Sequence, residues 1–432
     1  MDLSMKNLLS GLVSAAGIAS FMVSSVMADV VYSGLTDIPI PTNFDGIYIN
    51  LDNGAAGSVN LPGADINPFF GGQGIAFSST FLAVRTGTQS DDPILAMGLG
   101  VRVDGSLPYS SDGSNGYFGS ASGQFTAGQQ AYLGFKFNTD AGAGPYFGWM
   151  RVVFTQNTAG GLIKDWAYDT SGGATRTGNI LQSAAFGGVS TVTLSSAAGE
   201  TTTLGSVLSD QSGGVVTSLQ KTGAGTWKVN SAQSYTGGTV VAANGGTLEV
   251  GGGAGGKLSG TTSIAINTAG TLLLSGAGGA NAKLNPNASV TLAGGTVSLA
   301  GMTTSLDQAV GALTLSASSV LDFGNLSSGN TWRFSASNGD WSSLSLNIYN
   351  YSPGADHLFF GTNTSGLNAS QLDRIAFYGD TGSTYLGYAR FSGETGEISA
   401  AIPEPTSILT AFALLTLIGL REGRQRARRQ IG

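Results

Sequence analysis

The chain has 432 residues, no cysteine and a single histidine, His357, which excludes disulfides, thiolate metal sites and Cys–His nucleophile pairs. Glycine occurs 68 times, charged residues make up 10% and hydrophobic residues 41%. That balance argues for a core of short strands joined by tight turns rather than for charge-driven disorder. The formal net charge of -7 disfavours nucleic acid as a partner, because phosphate binding needs a basic surface.

Residues 1–28 read as a secretory signal peptide. Lys6 supplies the positive start, Leu8 to Val26 is apolar and small, and Val26-Met27-Ala28 forms a cleavage site before Asp29. From 29 to about 185 the sequence is aromatic and non-repetitive. Leu95, Met97, Leu99, Val101 and Val103 alternate with Ala96, Gly98, Gly100, Arg102 and Asp104, as do Leu133, Phe135 and Phe137 with Gly134, Lys136 and Asn138. Period 2 predicts strands with one face buried. Tyr146 to Phe154 is apolar on both faces apart from Arg151 and suits a central strand. Turn signals at Asp104-Gly105, Asp112-Gly113 and Asn115-Gly116 separate these runs, which together predict a β-sandwich of jelly-roll type over 29–185.

From 190 to 325 aromatics nearly vanish and a short unit recurs. Gly225-Thr226, Gly246-Thr247, Gly270-Thr271 and Gly295-Thr296 each open a run of alternating aliphatic residues. A spacing in the twenties is a solenoid period, and each unit is too small to hide its own apolar face. A right-handed parallel β-helix fits this region. Residues 326–400 regain aromatics, among them Trp332, Phe334, Tyr349, Phe359, Phe377 and Tyr378, and read as a β-rich C-terminal cap with one short helix near Gln371 to Ile375. The fold expected is therefore all-β throughout.

The chain closes on Ile402-Pro403-Glu404-Pro405, an apolar run over 407–420, and a basic tail with Arg421, Arg424, Arg426, Arg428 and Arg429. The run is short for a bilayer but allows a transient span, and the arginines orient the tail to the cytoplasm. This order over 403–432 resembles the PEP-CTERM sorting signal. The resemblance implies an exosortase-type processing enzyme as partner, transient insertion in the inner membrane, and delivery to the cell surface or exopolysaccharide matrix of a Gram-negative-type bacterium. Phe44 to Tyr48, Gly134 to Phe137, Tyr146 to Trp149 with Val152, and Trp166-Ala167-Tyr168 are similar to the N-terminal domain of such proteins. Lys221-Thr222-Gly223-Ala224-Gly225-Thr226-Trp227, followed by Tyr235-Thr236-Gly237-Gly238-Thr239, resembles the autotransporter-associated β-strand repeat. The block 326–400 likewise resembles the segment that closes such repeats. With both ends removed, residues 29–403 hold 13 Lys+Arg against 23 Asp+Glu, an acidic ectodomain.

Candidate chemistry is sparse. Gly251 to Gly256 satisfies G-x-G-x-x-G, but a strand rather than a helix should follow, so it reads as a coil corner. His357 adjoins Asp356, which cannot orient it as a triad aspartate would, because neighbours on a strand face opposite ways. Asp91 and Asp92 precede Pro93 and read as a solvated loop. Asp112 and Asn115 offer oxygen ligands in a tight turn, a candidate calcium site, with Asp45 and Asp52 as further donors that no spacing argument pairs. Trp149, Trp166 and Tyr168 form a candidate sugar platform, against a core reading. The expectation is a surface- or matrix-associated structural or adhesive protein without catalysis or resident cofactor, its partner an extracellular polysaccharide or surface polymer. The alternative is a polysaccharide-binding or polysaccharide-degrading β-helix enzyme.

Overall fold

The computed structural model describes residues 28–89, 92–110, 124–252 and 255–401. The signal peptide up to residue 27, Asp91, the turn holding Asp112 and Asn115, and the sorting signal 403–432 with its prolines and arginines lie outside the described residues. What is described is nearly all β, 47% strand against 3% helix.

The N-terminal part is built on an antiparallel sheet in which Gln130–Phe137, Tyr146–Val153 and Leu162–Asp169 run side by side, with Phe81–Val84 on the far side of the first. A smaller sheet of Ala56–Gly57, Tyr48–Ile49, Ile66–Phe69 and Gly74–Phe77 covers one face. The core between them takes Ile49, Ile66 and Ile75 from the small sheet and Phe135, Phe137, Met150 and Trp166 from the large one. The alternation in 133–137 thus reports a real buried face. The alternation in 95–103 does not report one continuous strand. Only Ala96–Met97 and Arg102–Val103 are extended, and Leu99 is 67% exposed between them. Gly100 turns the chain at φ +79, and Thr177 braces the turn by donating to Gly98 O and accepting from Val101 N.

The other face of the large sheet meets the solenoid. Ala28–Tyr32 pairs antiparallel with Leu162–Asp169 and parallel with Thr201–Leu204, the first coil's strand, so one ladder runs through both parts. Beneath this seam Arg151 and Asp165, cross-strand neighbours, form a buried ion pair, and Tyr32 Oη donates to Asp165 Oδ2 at 2.7 Å. The single charge in 146–154 is there because its partner faces it.

Beyond the seam, parallel coils stack into a β-solenoid of about seven turns. Its first face stacks Val189–Ser195, Val216–Thr222, Thr239–Val241, Ser263–Asn267, Ser289–Ala293 and Leu313–Ala317. Its second face stacks Thr226–Val229, Thr247–Val250, Thr271–Gly276, Thr296–Met302, Ser319–Asp322, Leu346–Tyr349 and Ile375–Tyr378. Thr226, Thr247, Thr271 and Thr296 are successive cross-strand partners, so the Gly-Thr spacing is the length of one coil. Next to them Trp227, Leu248, Leu272, Val297, Leu321, Ile348 and Phe377 form an inward column, each at most 1% exposed. Such stacking lets every coil bury the apolar side that it cannot bury alone.

The repeat resembling the autotransporter-associated strand has a physical reading at each position. On the first face, Lys221 takes the place of an aliphatic in the inward column between Leu194 and Val241, and is itself fully buried. Its Nζ donates to Thr222 O at 2.6 Å, Gly223 O at 2.7 Å and Gly245 O at 2.7 Å, using all three ammonium protons to close two adjacent corners. A Cβ at Gly225 would lie 2.2 Å from Ala197 O of the preceding coil, so only glycine fits. Trp227 Nε1 donates to Ser195 O, and the buried Tyr235 hydroxyl meets Thr239 Oγ1 at 2.6 Å.

Parallel stacking runs on past residue 325 through the strands Thr331–Phe334, Leu346–Tyr349, His357–Phe360 and Ile375–Tyr378. The closing cap is the antiparallel pair Tyr385–Phe391 and Glu397–Ala400. The short helix expected near Gln371 to Ile375 lies earlier, at Ala369–Leu372, started by a capping box between Asn368 and Gln371, and Ile375 opens the strand Ile375–Tyr378.

Candidate functional site

Trp149 pairs in register with Ala167, so Trp166 and Tyr168 point to the opposite face of the sheet. All three are at most 5% exposed, Trp149 donating its Nε1 to Asn179 Oδ1. The sugar platform proposed for them does not form, because each fills a core. Asp45 is exposed, its Oδ2 accepting from Asn43 Nδ2, whereas Asp52 Oδ2 accepts from Asp140 N at 2.6 Å. Asp65, beside that loop, is buried, accepts from Leu51 N, and is pushed up to about 7 by burial. Asp92 ties its own loop by accepting from Gln89 N. Gly251 and Gly252 are followed by the strand Lys257–Leu258, as a coil corner requires. Among the described residues no group of three or more His, Asp or Glu is placed to hold a metal ion, and no helix is long and apolar enough to cross a membrane.

Two side-chain constellations do form, both near the C-terminal end of the solenoid. On the third face, Leu306–Val310, Thr331–Phe334 and His357–Phe360 stack in parallel, and Glu397–Ala400 closes the edge. The outward residues converge there. His357 Nδ1 lies 2.6 Å from Glu397 Oε1, forty residues away, and not against Asp356. Asp356 instead accepts from Asn330 N and Ser352 N, and burial raises its carboxyl. Arg333 bonds Asp307 Oδ1 at 2.8 Å and lies 4.1 Å from the centre of the Phe359 ring. Beside them is an open groove of about 670 Å³, with Val310, Phe334 and Phe359 along it and Arg333 and Glu397 among its polar residues. The carboxylate on Nδ1 fixes the orientation of the imidazole, and through Glu397 the pair adjoins the groove.

The second constellation is aromatic. The outward column of the second face ends in Tyr349, Tyr378 and Tyr385, with Tyr388 beside the last. Ring centroids follow at 5.5, 5.6 and 5.6 Å, each pair close to edge-to-face. Tyr385 and Tyr388 are each 49% exposed. Burial and then the Tyr388 ring hold the Tyr385 phenol above its ordinary value, so it stays a neutral donor at physiological pH.

Sequence reading missed both clusters. The charged cluster joins residues 26–40 apart, and the tyrosine row joins Tyr349 to Tyr378 across a coil and then to Tyr385 and Tyr388 across the closing hairpin; the single usable signal was the return of tyrosines after residue 340. No family model, no curated protein and no solved structure matches the chain.

Proposed function

We propose that this chain is an exported structural and adhesive protein of the cell surface or exopolysaccharide matrix, which holds an extracellular polymer without cutting it. The observation that carries the reading is the continuous ladder through the strand Ala28–Tyr32, of which Asp29 to Tyr32 remain after cleavage and pair with both Ala167 to Asp169 and Thr203 and Leu204, joining the sandwich to the solenoid as one rod instead of two domains on a linker. Such a rod suits spacing and attachment. The mainly uncharged coils and the exposed tyrosines at the far end support the same use. Sorting is assigned to 403–432, with Pro403, Glu404 and Pro405 read by an exosortase-type enzyme, 407–420 entering the inner membrane, and Arg421 to Arg429 keeping the tail cytoplasmic. The test is fractionation of cells making the full chain or a form lacking 403–432. The truncated form is expected in the medium, and its retention in the original fraction refutes the sorting assignment.

A second reading has one observation in its favour. The contact of His357 with Glu397 sets an oriented imidazole beside the groove that Arg333 and Glu397 line, in a fold that can carry a polysaccharide-degrading site. Incubation of the full chain with neutral and uronate-containing polysaccharides, with and without calcium, decides between the two. New reducing ends or unsaturated sugars that disappear in His357→Ala would establish the enzyme.

A further inference from the structure

We propose that the tyrosine row formed by Tyr349, Tyr378, Tyr385 and Tyr388 is a binding platform for a neutral polysaccharide chain, laid along the solenoid axis. This rests on the adhesive reading and names its ligand class. Three arguments carry it. Geometry comes first: the first three rings come from neighbouring strands, and their centroids stand 5.5 and 5.6 Å apart along the stack. Because neighbouring rings are edge-to-face, a glycan laid along the row meets a ring face and then a neighbour's edge in turn.

Surface chemistry comes second. Two rings stand half in water while Tyr349 and Tyr378 are partly buried beside them. A ring face that offers apolar contact, with a hydroxyl at its edge, matches a pyranose, which has C–H faces and hydroxyl edges. A purely apolar partner would leave the phenol groups unmatched.

Charge comes third. Asp380, at the turn beside the row, holds its carboxyl down to about 2 through bonds from Thr384 and its neighbours, so it is always ionised. Of the nearby cations, Arg390 is engaged by Asp373 at 3.1 Å and Arg374 stands exposed just before the strand Ile375–Tyr378, against the carboxylates of Asp322, Asp373 and Asp380. Asp322, one coil before Tyr349, accepts from Ser298 and Asn350. The surroundings are thus acidic on balance and repel uronate, sulfated or phosphorylated chains.

The experiment is calorimetric titration of the full chain with neutral β-linked hexasaccharides and with an oligogalacturonate of equal length. Binding of at least one neutral hexasaccharide is expected, with the acidic one at least tenfold weaker. Tyr385→Ala and Tyr388→Ala should each weaken it about 5–10-fold, and Tyr385→Phe by no more than about 2-fold, since stacking survives. Both tyrosines are half exposed, and an unchanged circular dichroism spectrum checks that the alanine variants fold. Three outcomes overturn the proposal: no neutral oligosaccharide binds, the alanine variants bind like the parent, or the acidic chain binds best. Sedimentation that shows a dimer dissolved by Tyr385→Ala assigns the row to a second copy and also overturns it. So does binding that appears only after removal of 402–432, since the chain's own tail would then be the occupant. If neutral sugars fail while the protein still sediments with native matrix polymer, the adhesive reading stands and only the ligand class falls.

Discussion

Replacing Lys221 by methionine tests whether the buried ammonium is a structural clamp. Methionine fills nearly the same length in the column between Leu194 and Val241, so packing changes little. The variant loses the bonds to Thr222 O, Gly223 O and Gly245 O. The bond to Gly245 O is buried, and a buried acceptor left unpaired costs about 1–3 kcal/mol. The other two carbonyls lie near water and forfeit about 0.5–1 kcal/mol each. Against this stands the relief of desolvation, which already pulls the lysine down to about 8. The balance is a net loss of about 2 kcal/mol, read from urea unfolding followed by tryptophan fluorescence, because Trp227 lies in the next strand. A Lys221→Met protein as stable as the parent, or more stable, would refute the clamp and leave the lysine as a tolerated burden.

Three further outcomes follow from the same reasoning. Asp165→Asn leaves the buried Arg151 without its counter-charge and should cost about 3–5 kcal/mol in the same unfolding assay; a loss below about 1 kcal/mol would mean that the seam does not depend on the pair. Asp65 has its folded value raised to about 7 from an ordinary 3.8, so the fold binds the proton more tightly than the unfolded chain. Stability should therefore fall as pH rises from about 4 to about 7 and level off above; Asp65→Asn should flatten that contribution in thermal melts across the range, and an unchanged slope would show that Asp65 is ionised in the fold. Leu321→Ala, in the middle of the inward column, should cost about 2–5 kcal/mol by calorimetry, and a cost under 1 kcal/mol would show that the coil tolerates the cavity.

Residue type and periodicity made much of the solenoid legible. Gly225, Gly246, Gly270 and Gly295 announce the coil because each precedes a threonine that must sit beside the next. Periodicity failed at 95–103, where Gly98 and Gly100 leave the apolar pattern intact while the backbone turns. Parity was informative and went unused: residues 149 and 166 face opposite ways because Trp149 pairs with Ala167, which register decides and sequence alone does not. His357 was rightly separated from Asp356, yet its partner Glu397 arrives from an antiparallel closing strand that no period foretells. The tyrosine row was hidden for the same reason, being assembled from a parallel coil step between Tyr349 and Tyr378 and an antiparallel return to Tyr385 that no single period spans.

The central claim is that the rod holds extracellular polymer and leaves it uncut. Co-sedimentation of the full chain with the matrix polysaccharide of the producing cells, with reducing ends assayed in the same tubes, tests it most directly. The account predicts that the protein pellets with the polymer and that reducing ends stay at the level of a boiled control. Protein left in the supernatant, or reducing ends that rise with time, would contradict it.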